Sequence, residues 1–378
     1  MVLIKKEPDL NEKLDILSRD SQYDLACACG TARDEHRRRS KDDKWIYPVV
    51  LPSGRTTFLF KTLLSNECVN NCKYCPLRAG SNAARCSLTP DEMVKTFLSY
   101  YKARKVSGLF LSSGVINGPD ATMERINRVA LNLRRMRFSG YIHLKVIPGA
   151  SDAAIRQSLS LANAVSVNIE TAGEDNFKYL SSTKDYLGDI IRPIKLISRL
   201  TARGSCYSGV KQTTQFVVGA SRETDREIID YSWRLYRNLN LSRVYFSAYQ
   251  RGEGDPELPG ERSSSTNGEL LTREHRLYQA DWLIRKYGFR ADEIPVEPAG
   301  NLSLTADPKE MWARLHPEFF PVRVNDDDKS RLLRVPGLGH IMVERIIALR
   351  EEGVRIRSLE DLGKQNKTLN KAAQYLAF

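Results

Sequence analysis

Three cysteines on one short stretch constrain this sequence more than any other feature. Cys68, Cys72 and Cys75 are spaced four and three positions apart. Three thiolates this close together can hold three corners of a metal site. Structural zinc is nearly always bound by four protein ligands, and no histidine lies between His36 and His143 to provide the fourth.

A cubane iron–sulfur cluster is the alternative that suits the spacing better. Such a cluster can be held by three cysteines, and its fourth iron is then open to a small ligand. Cys86 stands alone further along the chain and does not extend the group. Tyr74 directly precedes the last cysteine, so its ring would lie beside whatever the open iron binds. A zinc knuckle or a chance grouping remains the other interpretation.

The remaining cysteines indicate a reducing environment. The chain has 7 cysteines, an odd number, which favours metal binding over a disulfide framework. We expect Cys27, Cys29 and Cys206 to be structural small residues, and these three together with Cys86 form no second three-cysteine group. No apolar run approaches the ~20 residues of a membrane span, and residues 1–10 do not resemble a signal peptide. We therefore expect a cytoplasmic protein without a membrane partner.

Composition and charge are those of a globular protein with an anionic partner. The chain has 378 residues, 41% of them hydrophobic and 28% charged, enough for one large and one smaller domain. The formal net charge of +12 favours a partner such as nucleic acid, although solubility alone would also explain it. The charged run 34–41 is either a solvated loop or a phosphate contact.

From residue 56 onward, short apolar strands alternate with longer helical stretches. This alternation predicts an α/β fold whose parallel sheet curls into a partial, open (β/α)6 barrel of the TIM type. Functional groups in such barrels lie at the C-terminal ends of the strands, and the cysteines follow the first of these strands. The predicted strands are 56–64, 108–112, 141–146, 164–169, 213–218 and 243–249. The predicted helices are 10–19, 91–104, 122–135, 152–159, 190–202, 223–239 and 271–287.

The sequence predicts three segments. Residues 1–55 form an N-terminal extension, 56–322 form the barrel core and 323–378 form a small all-α domain. Within the core, the stretch 250–270 is rich in Gly, Pro, Glu and Ser and predicts a long loop. This loop is either a lid over the strand ends or a surface excursion.

Polar residues at two predicted strand ends are candidates for ligand binding. Ser112, Ser113 and Gly114 end a buried strand, and exposed amides there would bind a carboxylate or an amine, or the three residues form an ordinary turn. His143 and Lys145 share one face of the next strand. If that face lines the barrel, Lys145 meets an anionic group; otherwise both residues are at the surface.

The following strands add further candidates. Ser166, Asn168 and Glu170 project to one side under the strand period of two. A central parallel strand is covered on both faces, so these polar groups need partners. Gln215 and Val218 lie on the strand after it.

Near the C-terminus, two short helices flank a glycine-rich turn. The predicted helices 328–333 and 341–350 enclose Pro336, Gly337, Leu338, Gly339 and His340, and a short helix is expected at 359–362. The turn resembles the helix-hairpin-helix motif of DNA-binding proteins, in which backbone amides contact a phosphate without reading sequence. Val343 departs from that motif, which usually has a small residue there. The alternative is a hairpin used for folding or protein contact.

The cysteine stretch resembles the cluster loop of the radical S-adenosylmethionine (radical SAM) enzymes, C-x3-C-x-aromatic-C. This resemblance implies a [4Fe–4S] cluster on Cys68, Cys72 and Cys75, S-adenosyl-L-methionine on the open iron, and reductive cleavage to a 5′-deoxyadenosyl radical. It implies cofactor contacts at the candidates named above, which are Tyr74, Ser112, Ser113, Gly114, Lys145, Ser166, Asn168, Glu170, Gln215 and Val218. The family's acidic residue at the first of these strand ends is absent here, where the sequence is Ser-Ser-Gly.

The barrel and the hairpin together resemble a bacterial family of radical SAM proteins assigned to DNA modification or repair. The phrases that match closely are 108–116, 140–145, 147–150 and 273–282. The resemblance implies DNA as substrate and partner, an electron donor such as a flavodoxin or ferredoxin, and a DNA-glycosylase-like companion protein. Two alternatives stay open, namely an RNA- or tRNA-modifying radical SAM enzyme, and a DNA-binding iron–sulfur sensor of redox state or iron without catalysis.

Overall fold

The computed structural model describes residues 8–21, 46–50, 54–363 and 367–378. Three features discussed above, Cys27, Cys29 and the charged run 34–41, lie outside the described residues.

A seven-stranded sheet organises the larger part of the chain. Its strands follow one another in sequence order from β1 to β7, and β1 and β7 are its two edges. β1 pairs antiparallel with β2, and all later pairs are parallel. The predicted α/β class with an open, curled partial barrel is confirmed. The strands are β1 (Ile46–Val50), β2 (Thr56–Leu63), β3 (Gly108–Ser112), β4 (Tyr141–Lys145), β5 (Ala164–Ser166), β6 (Lys211–Val218) and β7 (Arg243–Ala248).

Helices connect the strands and cover one face of the sheet. On that outer face Phe60 of β2 meets Phe97 of the following helix edge to face, with ring centroids 6.1 Å apart. Gln212 of β6 donates to the carbonyl of Ile194 in another connecting helix at 2.9 Å. The helices up to the end of the sheet region are α1 (Leu10–Asp20), α2 (Pro90–Lys102), α3 (Pro119–Arg135), α4 (Asp152–Leu161), α5 (Glu174–Phe177), α6 (Arg192–Leu200), α7 (Asp225–Leu239), α8 (Pro259–Arg262) and α9 (Asn267–Lys286).

The inner face of the sheet is polar. Lys61 of β2 lies over the ring of Phe110 of β3, 4.8 Å from its centroid, and that ring is 4.4 Å from the imidazole of His143 on β4. His143 Nε2 lies 3.0 Å from Ser166 Oγ at the end of β5. Because neighbouring strands are in register, these contacts place one set of side chains on one concave surface. Lys145, two residues after His143, shares it.

Three local differences from the sequence prediction have physical causes. β1 falls in the predicted N-terminal extension, for which no strand was predicted; its Pro48 is tolerated because β1 is an edge strand. β5 leaves its ladder after Ser166, and Glu170 makes a single bridge to Phe216. The helix predicted at 190–202 begins earlier, as a π-helical turn over Tyr186–Ile191 capped by Asp185.

The chain forms two compact units. One contains the described residues of 1–223 and 234–274, and the other contains 224–233 and 275–378. The predicted domain boundary at residue 323 stays a prediction. In the second unit, buried apolar side chains such as Val322, Leu332 and Ile346 form one core. Its remaining elements are α10 (Pro308–Leu315), β8 (Val322–Arg323), α11 (Lys329–Arg334), α12 (His340–Glu351), α13 (Lys367–Ala372) and β9 (Leu376–Ala377).

Among the described helices, none combines the length and apolar character needed to cross a lipid bilayer.

The start of α2 gives a direct test of the local structure. Thr89 accepts from the amide of Glu92 at 3.1 Å, and the Glu92 carboxylate accepts from the amide of Thr89 at 2.7 Å, which closes a capping box. We expect Thr89→Ala to lower the free energy of unfolding by about 1 kcal/mol. Ser208→Ala, at an exposed loop position, should leave it unchanged in denaturant titrations. Equal stability of the two variants would contradict the capping geometry.

Candidate functional site

The cysteine loop lies at the C-terminal edge of the parallel strands and is hydrogen-bonded to the neighbouring connection. The amide of Leu64 donates to the carbonyl of Ser112 at 2.8 Å, and the amide of Val69 donates to the carbonyl of Val115 at 2.9 Å. In the opposite direction, the amide of Gly114 donates to the carbonyl of Ser65 at 2.7 Å. The loop that holds the three thiols and the loop after β3 therefore form one backbone unit.

Gly114 is explained by this close approach. A Cβ atom at position 114 would overlap the carbonyl oxygen of Glu67, the residue before Cys68. Glycine is required because two backbones meet there. Ser112 and Ser113, which precede it, are half-buried. All three residues thus lie beside the cysteine loop.

A second anchor joins the cysteine loop to the segment after α5. The carboxamide oxygen of Asn71 accepts from Ser181 Oγ at 3.2 Å, from the Ser182 amide at 3.3 Å and from Thr183 Oγ1 at 3.0 Å. Its amide nitrogen donates to Ser182 Oγ at 2.6 Å. The amide of Lys73 donates to the carbonyl of Leu180 at 2.7 Å. One asparagine between two of the cysteines thus binds three consecutive hydroxyl residues.

This anchor positions a lysine against the thiols. Lys184 is the residue after the three hydroxyls, and its ammonium group hydrogen-bonds to Cys72. Burial by itself would lower the pKa of Lys184, but the charges of Cys72 and Glu170, with a smaller contribution from Cys68, hold it above the usual range. A fixed cation therefore lies beside the cysteine sulfurs.

Two further groups of the loop, Tyr74 and Cys75, are half-buried. Burial, together with the neighbouring Cys72, raises the pKa of the Cys75 thiol to about 12. Burial also raises the pKa of Tyr74 well above its usual value, together with the charge of Glu170, to which the Tyr74 hydroxyl is hydrogen-bonded. Tyr74 is therefore a neutral hydrogen-bond donor beside the cysteines.

The polar residues of the inner face pair across strands towards this loop. Lys145 Nζ donates to Asn168 Oδ1 at 2.7 Å. Lys145 and Glu170 are buried, and Glu170 adopts a left-handed backbone conformation with φ of 66°. The amide of Glu170 donates to the carbonyl of Gln215 at 3.0 Å, and its carbonyl accepts from the amide of Val217 at 2.7 Å. A non-glycine residue in this region is strained, and such strain is typical of functional sites.

Gln215 and Val218 lie on opposite faces of β6. Gln215 is buried, and alternation along the strand places its side chain on the inner face. Val218 is fully buried and shares the outer face with Phe216, whose ring stacks on that of Phe246. The structure therefore brings Gln215, but not the Val218 side chain, towards the other candidates.

The predicted long loop is fastened to the cysteine loop. Arg78 donates to the carbonyls of Glu253 at 3.1 Å and Gly254 at 3.3 Å. The amide of Asp255 donates to the carbonyl of Lys73 at 2.8 Å. Residues 253–255 thus contact the cysteine loop at Lys73 and Arg78.

Sequence reasoning missed three residues that shape this site, Asn71, Lys184 and Glu223. The Glu223 carboxylate, buried before α7, accepts from the Gly219 amide at 3.0 Å and from Thr171 Oγ1 at 3.1 Å. Burial raises its pKa, which the charge of Arg273 partly counteracts. A glutamate four residues after a strand-end glycine is a usable signal for such a buried carboxylate. The two other residues act through contacts between distant segments and have no local signal.

The other described cysteines lie apart from the loop thiols. The Cys86 thiol is buried and donates to the carbonyl of Lys13 at 3.8 Å, and burial raises its pKa to about 11. Its amide donates to Asn66 Oδ1 at 2.7 Å. Cys206 is exposed in the connection that leads into β6, at the opposite edge of the sheet from the cysteine loop. The structural role predicted for Cys206 stays a prediction.

The donor set of the loop fits a cubane cluster. In the described part of the chain, no group of three or more His, Cys, Asp or Glu side chains is arranged around one metal ion. A cubane does not need such a group because each cysteine binds a different iron, so the thiols can stand apart. Cys72 is buried and Cys68 and Cys75 are half-buried, and Lys184 supplies a compensating positive charge. The loop provides three sulfur atoms as possible ligands, and Tyr74 and Glu170 lie beside them.

The glycine-rich turn lies in the second unit between α11 and α12. Pro336 and Leu338 are buried, Gly337 and Gly339 are half-buried, and His340 is exposed. The His340 ring lies 5.8 Å from that of Trp282 in α9. His340 is therefore the most accessible of the five predicted nucleic-acid residues.

Internal packing explains one of the two glycines. Gly337 has φ of 89°, and a Cβ atom there would overlap the carbonyl oxygen of Thr368 in α13. Gly339 has ordinary backbone angles, and a Cβ atom there would meet the Tyr287 hydroxyl at 3.5 Å, a normal contact distance. Lys309 donates to the carbonyl of Leu338 at 2.6 Å, and burial lowers its pKa to about 7. Only Gly339 is thus available for substitution without strain.

No protein-family model and no curated protein matches the sequence. Solved structures do match. Methylornithine synthase (PylB) has a TM-score of 0.44 and 15% identity, and the match covers 59% of this chain and 63% of that one. The FeFe-hydrogenase maturase HydG from Carboxydothermus hydrogenoformans has a TM-score of 0.44 and 13% identity, and the match covers 57% of this chain and 49% of that one. The radical S-adenosylmethionine methyltransferase TsrM from Kitasatospora setae has a TM-score of 0.37 and 12% identity, and the match covers 49% of this chain and 35% of that one. This chain covers less than two thirds of each.

The anchor at Asn71 predicts a specific defect. Asn71→Ala removes the acceptor shared by three residues, so we expect the free energy of unfolding to fall by about 1–3 kcal/mol. Because the segment that carries Lys184 is then released, we also expect less iron and sulfide per chain after anaerobic reconstitution. Asn70→Ala is the matched control. Asn70 accepts a hydrogen bond from the Ala79 amide through its backbone carbonyl, which the substitution keeps. Equal iron content in both variants would show that the anchor does not support the cluster loop.

Proposed function

We propose that this protein is a radical SAM enzyme that acts on a nucleic-acid substrate, with DNA as the favoured one. One observation carries the proposal. Three cysteines lie on one loop at the C-terminal edge of a parallel, open barrel, and buried polar side chains of three neighbouring strands point to that edge. This arrangement supports a cluster site with a polar cofactor bound next to it.

Cys68, Cys72 and Cys75 would hold the [4Fe–4S] cluster. When bound, the cluster and S-adenosyl-L-methionine supply the one-electron chemistry that generates a 5′-deoxyadenosyl radical. The chain supplies position and exclusion of water. Lys184 balances the negative charge of the thiolates, and Tyr74 closes the loop against Glu170.

The inner-face residues would bind the S-adenosyl-L-methionine. Lys145 and Asn168 provide donors for a carboxylate or for ribose hydroxyls, and Glu170 provides an acceptor for an amino group. Glu170 therefore supplies an acid near the open corner, although the Ser-Ser-Gly sequence after β3 contains none. Ser112, Ser113 and Gly114 lie at the same edge, where only backbone and hydroxyl groups are available. Ser166 contacts His143 on the same inner face, and Gln215 also lies on that face.

Two features support the nucleic-acid part of the proposal, namely the turn between α11 and α12 in the second unit and the net positive charge of the chain. α11 and α12 enclose a turn in which Gly339 is the N-cap of α12 and has no side chain to bind the first amides of that helix, beside the exposed His340. Such amides at a helix N-terminus favour an anion, and the helix-hairpin-helix motif that the sequence resembles would use them to contact a phosphate. The net charge of +12 agrees with a polyanionic partner. An electron donor such as a flavodoxin or ferredoxin, and a DNA-glycosylase-like companion protein, belong to the same proposal.

The test of the chemistry is cofactor cleavage by anaerobically reconstituted protein. We expect dithionite-reduced protein to convert S-adenosyl-L-methionine to 5′-deoxyadenosine and methionine, which mass spectrometry detects. Cys72→Ala should lose both this activity and the cubane absorption band, whereas Cys206→Ala, which changes an exposed thiol, should keep both. A cluster that persists without cofactor cleavage would instead support the iron–sulfur sensor.

The test of the hairpin uses one charge placed at each end of α12. Gly339→Glu puts a carboxylate beside the proposed phosphate site and should weaken duplex DNA binding about tenfold, a change of ~1.4 kcal/mol. Val354→Glu makes the same charge change at an exposed position about 18 Å away, past the other end of the helix. We expect this control to bind like the unchanged protein in fluorescence anisotropy. Equal affinities of the two variants would exclude the hairpin as the DNA contact.

A further inference from the structure

The edge of the sheet opposite the cysteine loop carries a concentrated positive charge. Four connections run from a helix into a strand there, at residues 102–105, 134–137, 199–211 and 234–243. Each contains three Lys or Arg residues and none contains Asp or Glu. Because β3, β4, β6 and β7 are parallel members of one sheet, the four connections come together at the same edge. We call these four connections the basic face.

Helix ends alone do not explain this charge. A cation in the last turn of a helix is favoured by the helix dipole, and half of the twelve basic residues are in α2, α3, α6 or α7. The other half follow the helix ends, for example Arg104, Arg203 and Lys211. Acidic residues occur at the other edge, where Asp91 and Asp120 lie in the first turns of α2 and α3. The four connections therefore lack the acidic residues that occur together with basic ones at the other edge.

Most of the basic residues are exposed. Arg134 and Arg243 are half-buried, and Arg134 donates to the carbonyls of Leu161, Phe138 and Gly140. The other ten basic residues of the face are exposed. Ten exposed cations in one region without acidic residues produce a field that attracts a polyanion and weakens with salt.

An open cleft with aromatic walls lies within the basic face. It has a volume of about 500 Å³, and its lining includes Phe58, Tyr101, Lys102, Arg104 and Lys105. Phe58 is 44% exposed and Tyr101 is 40% exposed, so both rings are accessible to a ligand. Exposed rings between cations are the arrangement on which single-stranded nucleic acids stack their bases.

We propose that the basic face binds a single strand of nucleic acid, with phosphates along the four connections and one base in the cleft between Phe58 and Tyr101. This inference shares with the proposed function only the nucleic-acid partner, and it rests on that part of the proposal. It requires neither the cluster nor the hairpin. The bound strand lies at the edge opposite the cysteine loop, so the basic face tethers the nucleic acid rather than presenting the reacting nucleotide. An acidic protein would use the same charge but would not need the aromatic cleft.

The test compares two variants with the same loss of charge. The first reverses one exposed cation in each connection, through Lys102→Glu, Arg135→Glu, Arg203→Glu and Arg234→Glu. The control reverses four exposed cations elsewhere in the same unit, through Lys95→Glu, Arg156→Glu, Lys178→Glu and Arg262→Glu. The probe is an oligothymidylate of about 20 nucleotides, long enough to exceed the site size of a typical single-strand groove. Binding is measured by anisotropy at several salt concentrations, and folding is checked by circular dichroism.

We expect the first variant to lose affinity more than about tenfold and its salt slope to fall by about three, because four phosphate contacts are removed at ~0.7 each. The control should change little. Phe58→Ala should weaken binding about fivefold or more without changing the salt slope, and Phe58→Tyr should restore it. Equal losses of affinity in the two fourfold variants would overturn the proposal. Tight binding that does not change in Phe58→Ala would also overturn it, because it would indicate a purely electrostatic surface for an acidic protein.

Cys206 provides a check that needs no variant. It is the exposed thiol of the basic face, in the connection 199–211. Bound oligonucleotide should slow its reaction with a maleimide probe in the cluster-loaded protein, as followed by peptide mass spectrometry. An unchanged rate at saturating oligonucleotide would contradict binding at this face. Binding is measured here without cofactor cleavage, so a failure of this inference and a failure of the radical chemistry give different results.

Discussion

The whole candidate site depends on how the cysteine loop is held from two sides. Its beginning is hydrogen-bonded to the connection after β3, where only a glycine at position 114 leaves room for the second backbone. Its middle is held by Asn71, which gathers three consecutive hydroxyl residues from the segment after α5. A loop fixed at one end alone would let the three thiols move independently. The second anchor also delivers Lys184 to Cys72, so position and charge compensation come from the same contact.

The two faces of the sheet carry different kinds of side chain. The outer face carries apolar side chains such as Phe60 and Phe216, which pack in the core of the barrel wall. The inner face carries Lys61, His143 and Lys145, which are buried and yet polar. Burial of such groups costs free energy unless they are paired, and the cross-strand contacts to Ser166 and Asn168 supply that pairing. Under the proposed function, these contacts would be exchanged for those of the bound cofactor.

The sequence alone predicted the features that depend on local pattern. The six parallel strands follow from alternating apolar runs, and the position of Cys68, Cys72 and Cys75 follows from their place after the first of these strands. It missed β1, because a proline in an edge strand gives the signal of a loop. It also missed Asn71 and Lys184, since both act through segments more than a hundred residues apart and only the folded chain brings them together. For Gly337 the sequence suggested an approach to phosphate, whereas packing on Thr368 already requires the glycine.

The central claim is that the cysteine loop holds a cluster with one corner open to S-adenosyl-L-methionine. Electron paramagnetic resonance of the anaerobically reconstituted and reduced protein tests this claim directly. We expect the signal of a reduced [4Fe–4S] cluster and a change in that signal when S-adenosyl-L-methionine is added, because the cofactor would bind an iron that no cysteine holds. A signal that is identical with and without the cofactor, or a loop that binds zinc and forms no cluster, would contradict it.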